Sequence, residues 1–288
     1  MARIVDWLLT APQYLLPQHL ISRAIYALTR IRGGGATTLA IRIFARVYNV
    51  ELALAERPEP RAYDTFNAFF TRALRDDARP VDPDPATVVS PVDGCVSAAG
   101  DIGDDSVFQA KGRCFSLAAL TGDANAAGTF SGGNWTTLYL SPRDYHRIHM
   151  PCDGQLVRMR YIPGRLFSVN ARTTRTVDNL FARNERLVLE FAAEFGTFTL
   201  VMVGAMCVGS MSTGWAGAVG PDEMPPDGVR DYRDAPIAFS RGDELARFNM
   251  GSTVILLYPP GVVTWAETLT ENRAVVMGTA IGKRQPGS

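Results

Sequence analysis

The sequence predicts an α+β fold in which a helical N-terminal portion packs on a mainly antiparallel β core. Helical patterning covers about residues 6–50 and returns at about 65–74. After the proline-rich connection at 79–85, the chain instead contains short apolar runs separated by Gly, Pro and Asp turns. Helices followed by strands are typical of α+β proteins, so we expect a helical part at 1–78 and a β-rich part at 79–288.

The β-rich part contains several runs in which apolar and β-branched residues dominate. The clearest strand predictions are 87–89, 136–140, 186–191 and 254–258. The stretch 195–220 has no charged residue, but its glycines and its many Ser, Thr and Val residues predict two buried strands joined by a turn. We therefore do not expect a membrane-spanning helix there.

Composition limits the class of protein. Of 288 residues, 47% are hydrophobic, which suffices for a substantial core. The formal net charge is zero, so bulk electrostatics give no indication of nucleic-acid binding. The cysteines have no framework spacing, and we interpret them as free thiols in a reducing compartment: Cys95, Cys114, Cys152 and Cys207.

The N-terminal segment 7–22 is uncharged but is interrupted by Pro12 and Pro17, so it is too short and too broken to span a bilayer. It is also unlike a cleavable signal, because Asp6 adjoins the apolar stretch and only Arg3 precedes it. Its apolar and aromatic residues suit an interfacial anchor, and they are followed by basic residues suited to anionic headgroups: Arg23, Arg30 and Arg32. The alternative is an amphipathic helical hairpin packed on the rest of the protein.

Residues 251–253, Gly-Ser-Thr, precede the apolar run at 254–258 and suit a backbone that cleaves itself. The Ser252 hydroxyl could attack the carbonyl of Gly251, and elimination followed by hydrolysis would convert the serine into a pyruvoyl group. Glycine leaves that carbonyl unshielded and permits unusual dihedral angles, while the serine requires a nearby base. The alternative is that these residues form an ordinary turn before a strand.

Two of the three histidines, His146 and His149, lie three residues apart. Such a pair offers one group that accepts a proton and another that donates one or binds a carboxylate. Zinc would need a third ligand, and no Cys-x-x-Cys or His-Glu-x-x-His spacing is present, so we predict no metal site. A plain surface pair is the remaining alternative.

Asp93 lies in the tight sequence 90–94, Ser-Pro-Val-Asp-Gly, which follows a short β-like run. Asp-Gly is first of all a hairpin signal. The functional interpretation is that Asp93 orients a histidine so that the imidazole can deprotonate the serine, as in a triad of nucleophile, base and orienting group.

Taken together, these segments are similar to the signature of the phosphatidylserine decarboxylases, the pyruvoyl-dependent enzymes of bacterial phospholipid synthesis. The signature is carried by 91–94, 145–151 and 251–253. Further family segments follow in the family order, and the resemblance runs from about residue 14 to about 263: 109–112, 161–164, 166–170, 179–186 and 203–205. One departure is Met250, where the family usually has leucine; the similar volume predicts that processing survives.

The resemblance implies a role for each motif. Asp93, His149 and Ser252 would form the self-processing triad, with His149 as the base held by Asp93. His146 would serve decarboxylation, by contacting the substrate carboxylate or by reprotonating the carbon. Substrate contacts are expected in the family segment that mixes polar and aromatic groups: Arg165, Phe167 and Asn170.

The resemblance also implies a cofactor, partners and a location. The covalent pyruvoyl group would form a Schiff base with phosphatidylserine, which leaves as phosphatidylethanolamine and CO2. Cleavage between Gly251 and Ser252 would leave a small chain of 37 residues, since 288 − 251 = 37. We expect a homodimer on the cytoplasmic side of the inner membrane, held peripherally by 1–78, with 79–288 as the catalytic domain. Separately, the Pro, Asp and Gly content of 220–234 predicts an exposed loop, which we expect near the substrate entrance.

Three alternatives share some of these features. A pyruvoyl enzyme acting on a soluble amino acid would use Ser252 but would not need the apolar N-terminus. A serine hydrolase would use Asp93, His149 and Ser252 on an external ester, although Gly-x-Ser-x-Gly is absent around Ser252. In a non-enzymatic lipid-binding module, replacing Ser252 by alanine would leave every measurable property unchanged.

Overall fold

The computed structural model confirms the α+β class, with helices mostly in the N-terminal part and antiparallel sheets behind them. It describes residues 2–110, 113–206, 210–249 and 252–285. The α-helices are α1 (Ala2–Thr10), α2 (Gln18–Leu28), α3 (Gly35–Tyr48), α4 (Phe66–Phe70), α5 (Leu117–Thr121), α6 (Ala126–Phe130), α7 (Ala171–Thr176) and α8 (Leu180–Arg183). Short 3-10 helices occupy Ala11–Tyr14, Leu52–Leu54 and Pro60–Ala62.

The strands are β1 (Thr87–Val89), β2 (Gly94–Asp101), β3 (Ser106–Ala110), β4 (Arg113–Ser116), β5 (Asn134–Leu140), β6 (Arg147–His149), β7 (Gly154–Ile162), β8 (Arg186–Ala193), β9 (Gly196–Val203), β10 (Met211–Thr213), β11 (Gly217–Val219), β12 (Val229–Asp231), β13 (Ile237–Phe239), β14 (Glu244–Phe248), β15 (Ser252–Tyr258), β16 (Val263–Trp265), β17 (Ala274–Val275) and β18 (Ala280–Arg284). The main sheet has the order β12-β7-β8-β9-β15-β5-β2-β17, with β13 also paired to β7. A smaller sheet, β11-β10-β14-β6, carries the segment that leads towards β15.

Strand β15 is the centre of the main sheet and pairs along its length with β5 and β9. All seven of its residues are buried, which explains why its apolar run does not alternate with polar residues. The predicted strands at 87–89, 136–140, 186–191 and 254–258 are all confirmed.

Two local expectations were wrong. The helix expected at 65–74 ends at Phe70, because the following backbone is used elsewhere: the Thr71 carbonyl accepts a hydrogen bond from Arg147, and Leu74 forms a bridge with Ala55. Asp93-Gly94 is not the turn of a hairpin, since β1 pairs with β18 and β2 pairs with β5. Tertiary pairing overrode local propensity in both places.

The N-terminal helices are docked on the β-rich part by amide side chains. The Gln13 side chain accepts from the Ser168 amide (3.0 Å), and the buried Gln18 side chain accepts from the Leu166 amide (2.9 Å). On α1, the Asp6 carboxylate pairs with Arg175 at 2.7 Å. These contacts fix the start of the chain against the loop between β7 and α7.

Helix α3 reaches the β-rich part indirectly, through an aromatic cluster with α4. Phe44 packs its ring edge-on against Phe66, Phe69 and Phe70. Among the described residues, no helix has the length and apolarity needed to cross a bilayer. The charge-free stretch at 195–220 contains β9, β10 and β11, while residues 207–209 lie outside the described part.

We predict that Leu256→Ala lowers the free energy of unfolding by about 3 kcal/mol, because Leu256 is fully buried in β15 between Leu200 and Thr136. Equilibrium unfolding in urea measures this change. Val276→Ala, at a position that is 40% exposed, is the matched control and should cost less than about 0.5 kcal/mol. Equal losses for the two variants would contradict the central role of β15.

Candidate active site

The three motifs predicted from sequence meet at one end of the main sheet. Ser252, the first residue of β15, lies opposite Leu140 at the end of β5. On the far side of β5, a Cβ at Gly94 would come within 2.3 Å of the Tyr139 carbonyl, so only glycine permits this approach of β2. Neighbouring strands are about 4.8 Å apart, which places the backbone beside Asp93 about 10 Å from Ser252.

The histidine segment is joined to the same place by backbone hydrogen bonds. The His149 amide donates to the Pro91 carbonyl at 2.8 Å, which connects β6 to the turn that carries Asp93. The Phe248 amide donates to the His146 carbonyl at 3.0 Å, and Phe248 lies four residues before Ser252 in the chain. His149 is therefore held beside the turn that carries Asp93, and His146 is held beside the segment that leads to Ser252.

His146 is fully buried, and its Nδ1 donates a hydrogen bond to the Asp144 carbonyl at 2.8 Å. That bond fixes the tautomer, so Nε2 carries the free lone pair, and Nε2 has no hydrogen-bond partner among the described residues. Burial lowers the pKa of His146 to about 3. Its imidazole is therefore neutral near pH 7, and the lone pair of Nε2 is available to accept a hydrogen bond or a proton.

His149 is buried in a more polar setting. Its Nδ1 donates to the Gly242 carbonyl at 2.8 Å, and its Nε2 accepts from the Tyr145 hydroxyl at 3.0 Å. Burial lowers the pKa of His149 and raises that of Tyr145, so both groups are neutral near pH 7. The Tyr145 hydroxyl must leave Nε2 before that nitrogen can accept a proton from another group.

Asp93 is bound by groups other than the histidine that the sequence analysis assigned to it. Its carboxylate pairs with Arg79 at 2.6 Å and accepts from the Met277 amide at 2.9 Å. This pairing raises the pKa of Arg79. The ring nitrogens of His149 are directed at Gly242 and Tyr145, so the influence of Asp93 on His149 in this arrangement is through space, as a nearby negative charge.

Ser252 is fully buried, and its hydroxyl has no hydrogen-bond partner among the described residues. An unsatisfied buried hydroxyl costs about 1–3 kcal/mol and calls for an explanation. Met250 and Gly251 lie outside the described residues, so the expectations on the scissile bond and on the methionine remain predictions.

Helix α4 contacts this site, and sequence reasoning did not find it. The Phe70 ring packs against His146 with 4.2 Å between ring centroids. The Asn67 side chain donates to the backbone carbonyl and the side chain of Asn249, both at 3.3 Å, and the Asn249 side chain in turn donates to the Ser210 carbonyl. The sequence showed only a helical pattern there, because nothing local indicates which strand a short helix will contact.

Arg165, Phe167 and Asn170 have structural partners. Phe167 is buried and packs on Tyr14, and the Asn170 side chain caps α7 by accepting from Arg172 and Thr173. Arg165 is exposed, and its backbone bonds to Arg183 and Glu185. The segment serves as a docking site for the N-terminal helices, and the expected substrate contacts remain untested predictions.

We predict that burial of His146 makes the fold sensitive to acid. Because its pKa is about 3 when folded and about 6.5 when unfolded, the unfolded chain binds more protons between these values, and stability falls as the pH drops below about 6.5. His146→Asn, which can still donate to Asp144, should lose about 2 kcal/mol less than the parent between pH 7 and pH 5.

Urea unfolding at the two pH values measures this difference. Both chains should also carry Ser252→Ala, so that each stays a single polypeptide if the parent cleaves itself. Identical losses between pH 7 and pH 5 for the two chains would show that His146 does not carry this proton linkage.

Comparison with known proteins agrees with the resemblance seen in the sequence. The model of the phosphatidylserine decarboxylase family matches residues 66–283, and a second model, described as PSD, matches residues 8–49. A phosphatidylserine decarboxylase proenzyme of Nitrosococcus oceani is 48% identical over 283 residues, which cover 98% of this chain and 92% of that protein.

Two further relatives carry the same printed name. The protein of Acidovorax ebreus is 48% identical over 280 residues, and that of Azotobacter vinelandii is 48% identical over 284 residues. The matches cover 97% and 96% of this chain and 98% of each relative. Matches of this extent and identity, on a chain whose Asp93, His146, His149 and Ser252 segments converge, show that the protein belongs to the phosphatidylserine decarboxylase family.

Proposed function

We propose that this protein decarboxylates phosphatidylserine to phosphatidylethanolamine and CO2, using a pyruvoyl group that it makes from its own Ser252. Family membership and the word proenzyme in the names of its relatives support the proposal. The observation that carries it is Ser252 itself, a buried hydroxyl without a partner among the described residues, at the sheet end where the segments of Asp93, His146 and His149 meet.

Self-processing would begin with transfer of the Ser252 hydroxyl proton to His149. The freed oxygen attacks the Gly251 carbonyl, the C–N bond breaks, and the acyl group moves from nitrogen to oxygen. Loss of the α-proton expels the Gly251 carboxylate, and water then replaces the nitrogen, which leaves as ammonia. Because the Tyr145 hydroxyl occupies Nε2 of His149, it has to rotate away first, and the negative charge of Asp93 favours the imidazolium that forms.

The residues at the site fit a pyruvoyl group at position 252. When present, that group supplies a carbonyl that condenses with the substrate amine and accepts the electron pair released as CO2 leaves. His146 would contact the substrate carboxylate or, with a proton taken up at its free Nε2, reprotonate the carbon that loses CO2. The Phe70 ring and the complete burial of His146 keep water away from this nitrogen.

A lipid substrate requires contact with a membrane, and the surface of the N-terminal part suits this. Among residues with a described exposure, the exposed large hydrophobic side chains all lie within residues 5–48, except Val276. The most exposed are Leu15 at 89%, Leu28 at 70% and Leu20 at 67%. Clustered exposed apolar residues of this kind mark an interaction surface, and we propose that they enter the headgroup region of the cytoplasmic leaflet.

Replacing Ser252 by alanine tests the central step. We expect the parent protein to give two chains on denaturing mass measurement, with the smaller 37-residue chain (288 − 251 = 37) lighter than its encoded mass by one ammonia. Ser252→Ala should remain one full-length chain without decarboxylase activity, because the nucleophile is missing.

Other outcomes identify the alternatives. A parent chain that stays intact and reacts with serine-directed probes would favour a hydrolase. Two chains, combined with activity on free serine but not on phosphatidylserine, would favour a pyruvoyl enzyme for a soluble amino acid.

We predict that Leu15→Glu and Leu28→Glu each weaken binding to phosphatidylglycerol vesicles by about tenfold, since each removes an apolar side chain from the lipid interface. Sedimentation of the protein with vesicles measures the bound fraction. Val276→Glu introduces the same charge at the exposed apolar position outside residues 5–48, and its binding should match the parent. If all three variants bind equally, the N-terminal surface is not the anchor.

A further inference from the structure

Arg72, two residues after α4, is a buried charge: the residue is only 5% exposed. Among the described residues, its Nε has no hydrogen-bond partner and its guanidinium has no ion-pair partner. Two carboxylates act on it through space, but each is engaged by another arginine. Asp93 pairs with Arg79 at 2.6 Å, and Asp144 lies 3.6 Å from Arg143. Burying an unpaired guanidinium costs stability, so its position calls for an explanation.

The guanidinium of Arg72 holds the turn that leads to His146. Its Nη2 donates to the Arg143 carbonyl at 3.2 Å. The next carbonyl in the chain, that of Asp144, accepts the Nδ1 hydrogen bond of His146 at 2.8 Å. Because the two carbonyls belong to consecutive peptide units, the hydrogen bond from Arg72 restrains the carbonyl that fixes the tautomer and the direction of the imidazole.

Aromatic rings at the end of α4 form a second connection between Arg72 and the imidazole. The guanidinium carbon lies 5.4 Å from the centroid of the Phe69 ring. The ring of the next residue, Phe70, packs on His146 with 4.2 Å between the ring centroids. The segment from Phe69 to Arg72 therefore brings both an aromatic ring and a positive charge close to His146.

The charge of Arg72 also acts on His146 through space. Burial is the main cause of the lowered pKa of His146, and the positive charge of Arg72 lowers this pKa further. The other charged side chains next to His146, in the chain or across the pairing of β6 with β14, each lie within 4 Å of an opposite charge: Asp144, Arg147 and Arg247. A positive charge near the imidazole makes a proton on Nε2 easier to release, which protonation of the substrate carbon requires.

We propose that Arg72 is a positioning residue for His146 in decarboxylation. It holds the carbonyl that sets the tautomer of the imidazole, and its positive charge helps the imidazole to pass a proton to the carbon that loses CO2. The inference rests on the proposed function and adds to it a residue that does not touch the reacting atoms. Self-processing uses His149 and Ser252 instead, so it should proceed without Arg72.

The test is steady-state decarboxylation of a short-chain phosphatidylserine, with kcat expressed per cleaved chain. We expect Arg72→Met, which removes the charge and the donor, to lower kcat about tenfold with little change in KM. Arg72→Lys keeps the charge and should recover most of the loss. Arg72→Gln lacks the charge, should show the loss of the Met variant, and takes its place if that variant does not fold.

Two control variants separate this role from a general effect of losing an arginine. Arg186 is also buried and also donates to backbone carbonyls, with no ion pair among the described residues, so Arg186→Met should keep the kcat of the parent. Arg75→Met removes the same charge three residues beyond Arg72, where the side chain is 51% exposed, and should keep it too.

Mass measurement of each variant separates this proposal from the proposed function. If Arg72→Met is cleaved normally and keeps the kcat of the parent, or if Arg186→Met loses as much, the positioning role is overturned while the pyruvoyl chemistry stands. A loss in KM alone would make Arg72 a substrate-binding residue, and a folded Arg72→Met chain that is not cleaved would assign it to self-processing; either result overturns the proposal. If the parent chain itself is not cleaved, both proposals fall.

Discussion

The structure depends on the complete burial of β15 between β5 and β9. Every residue of this strand is buried and hydrogen-bonded into the sheet, so the backbone at Ser252 has little freedom to move. A reacting group on a loop would sample many positions, whereas one at the first residue of a central strand is held in one. The segments that carry Asp93, His146 and His149 are brought beside it by β2 and β6.

Burial also determines the chemistry of the site. The same apolar packing that stabilises the sheet leaves the Ser252 hydroxyl and Nε2 of His146 without partners among the described residues, at a cost in stability. These unpartnered groups suit the proposed chemistry, because a hydrogen-bonded hydroxyl would be a poorer nucleophile and a protonated imidazole could not act as a base. His149, by contrast, is fully hydrogen-bonded, so its use requires a change at Tyr145.

The N-terminal helices are part of this arrangement as well as its link to the proposed lipid surface. Phe44 on α3 packs against α4. Helix α4 in turn contacts His146 through Phe70, and Asn249, three residues before Ser252, through Asn67. A contiguous set of packed rings therefore connects α3, which has exposed apolar residues, to the site. All the strands that the structure describes lie after residue 78, yet α4, which lies before it, contacts His146 in the candidate active site.

The sequence by itself determined the α+β class, three strands of the main sheet (β5, β8 and β15) and the residue types of the site. Each of these depends on local information: apolar runs, turn residues and the chemistry of Ser, His and Asp. Only the tertiary structure decided that Asp93 pairs with Arg79, that the Tyr145 hydroxyl donates to Nε2 of His149, and that Phe70 on α4 packs against His146. Those contacts join residues whose meeting depends on strand order and helix docking, which sequence spacing does not encode.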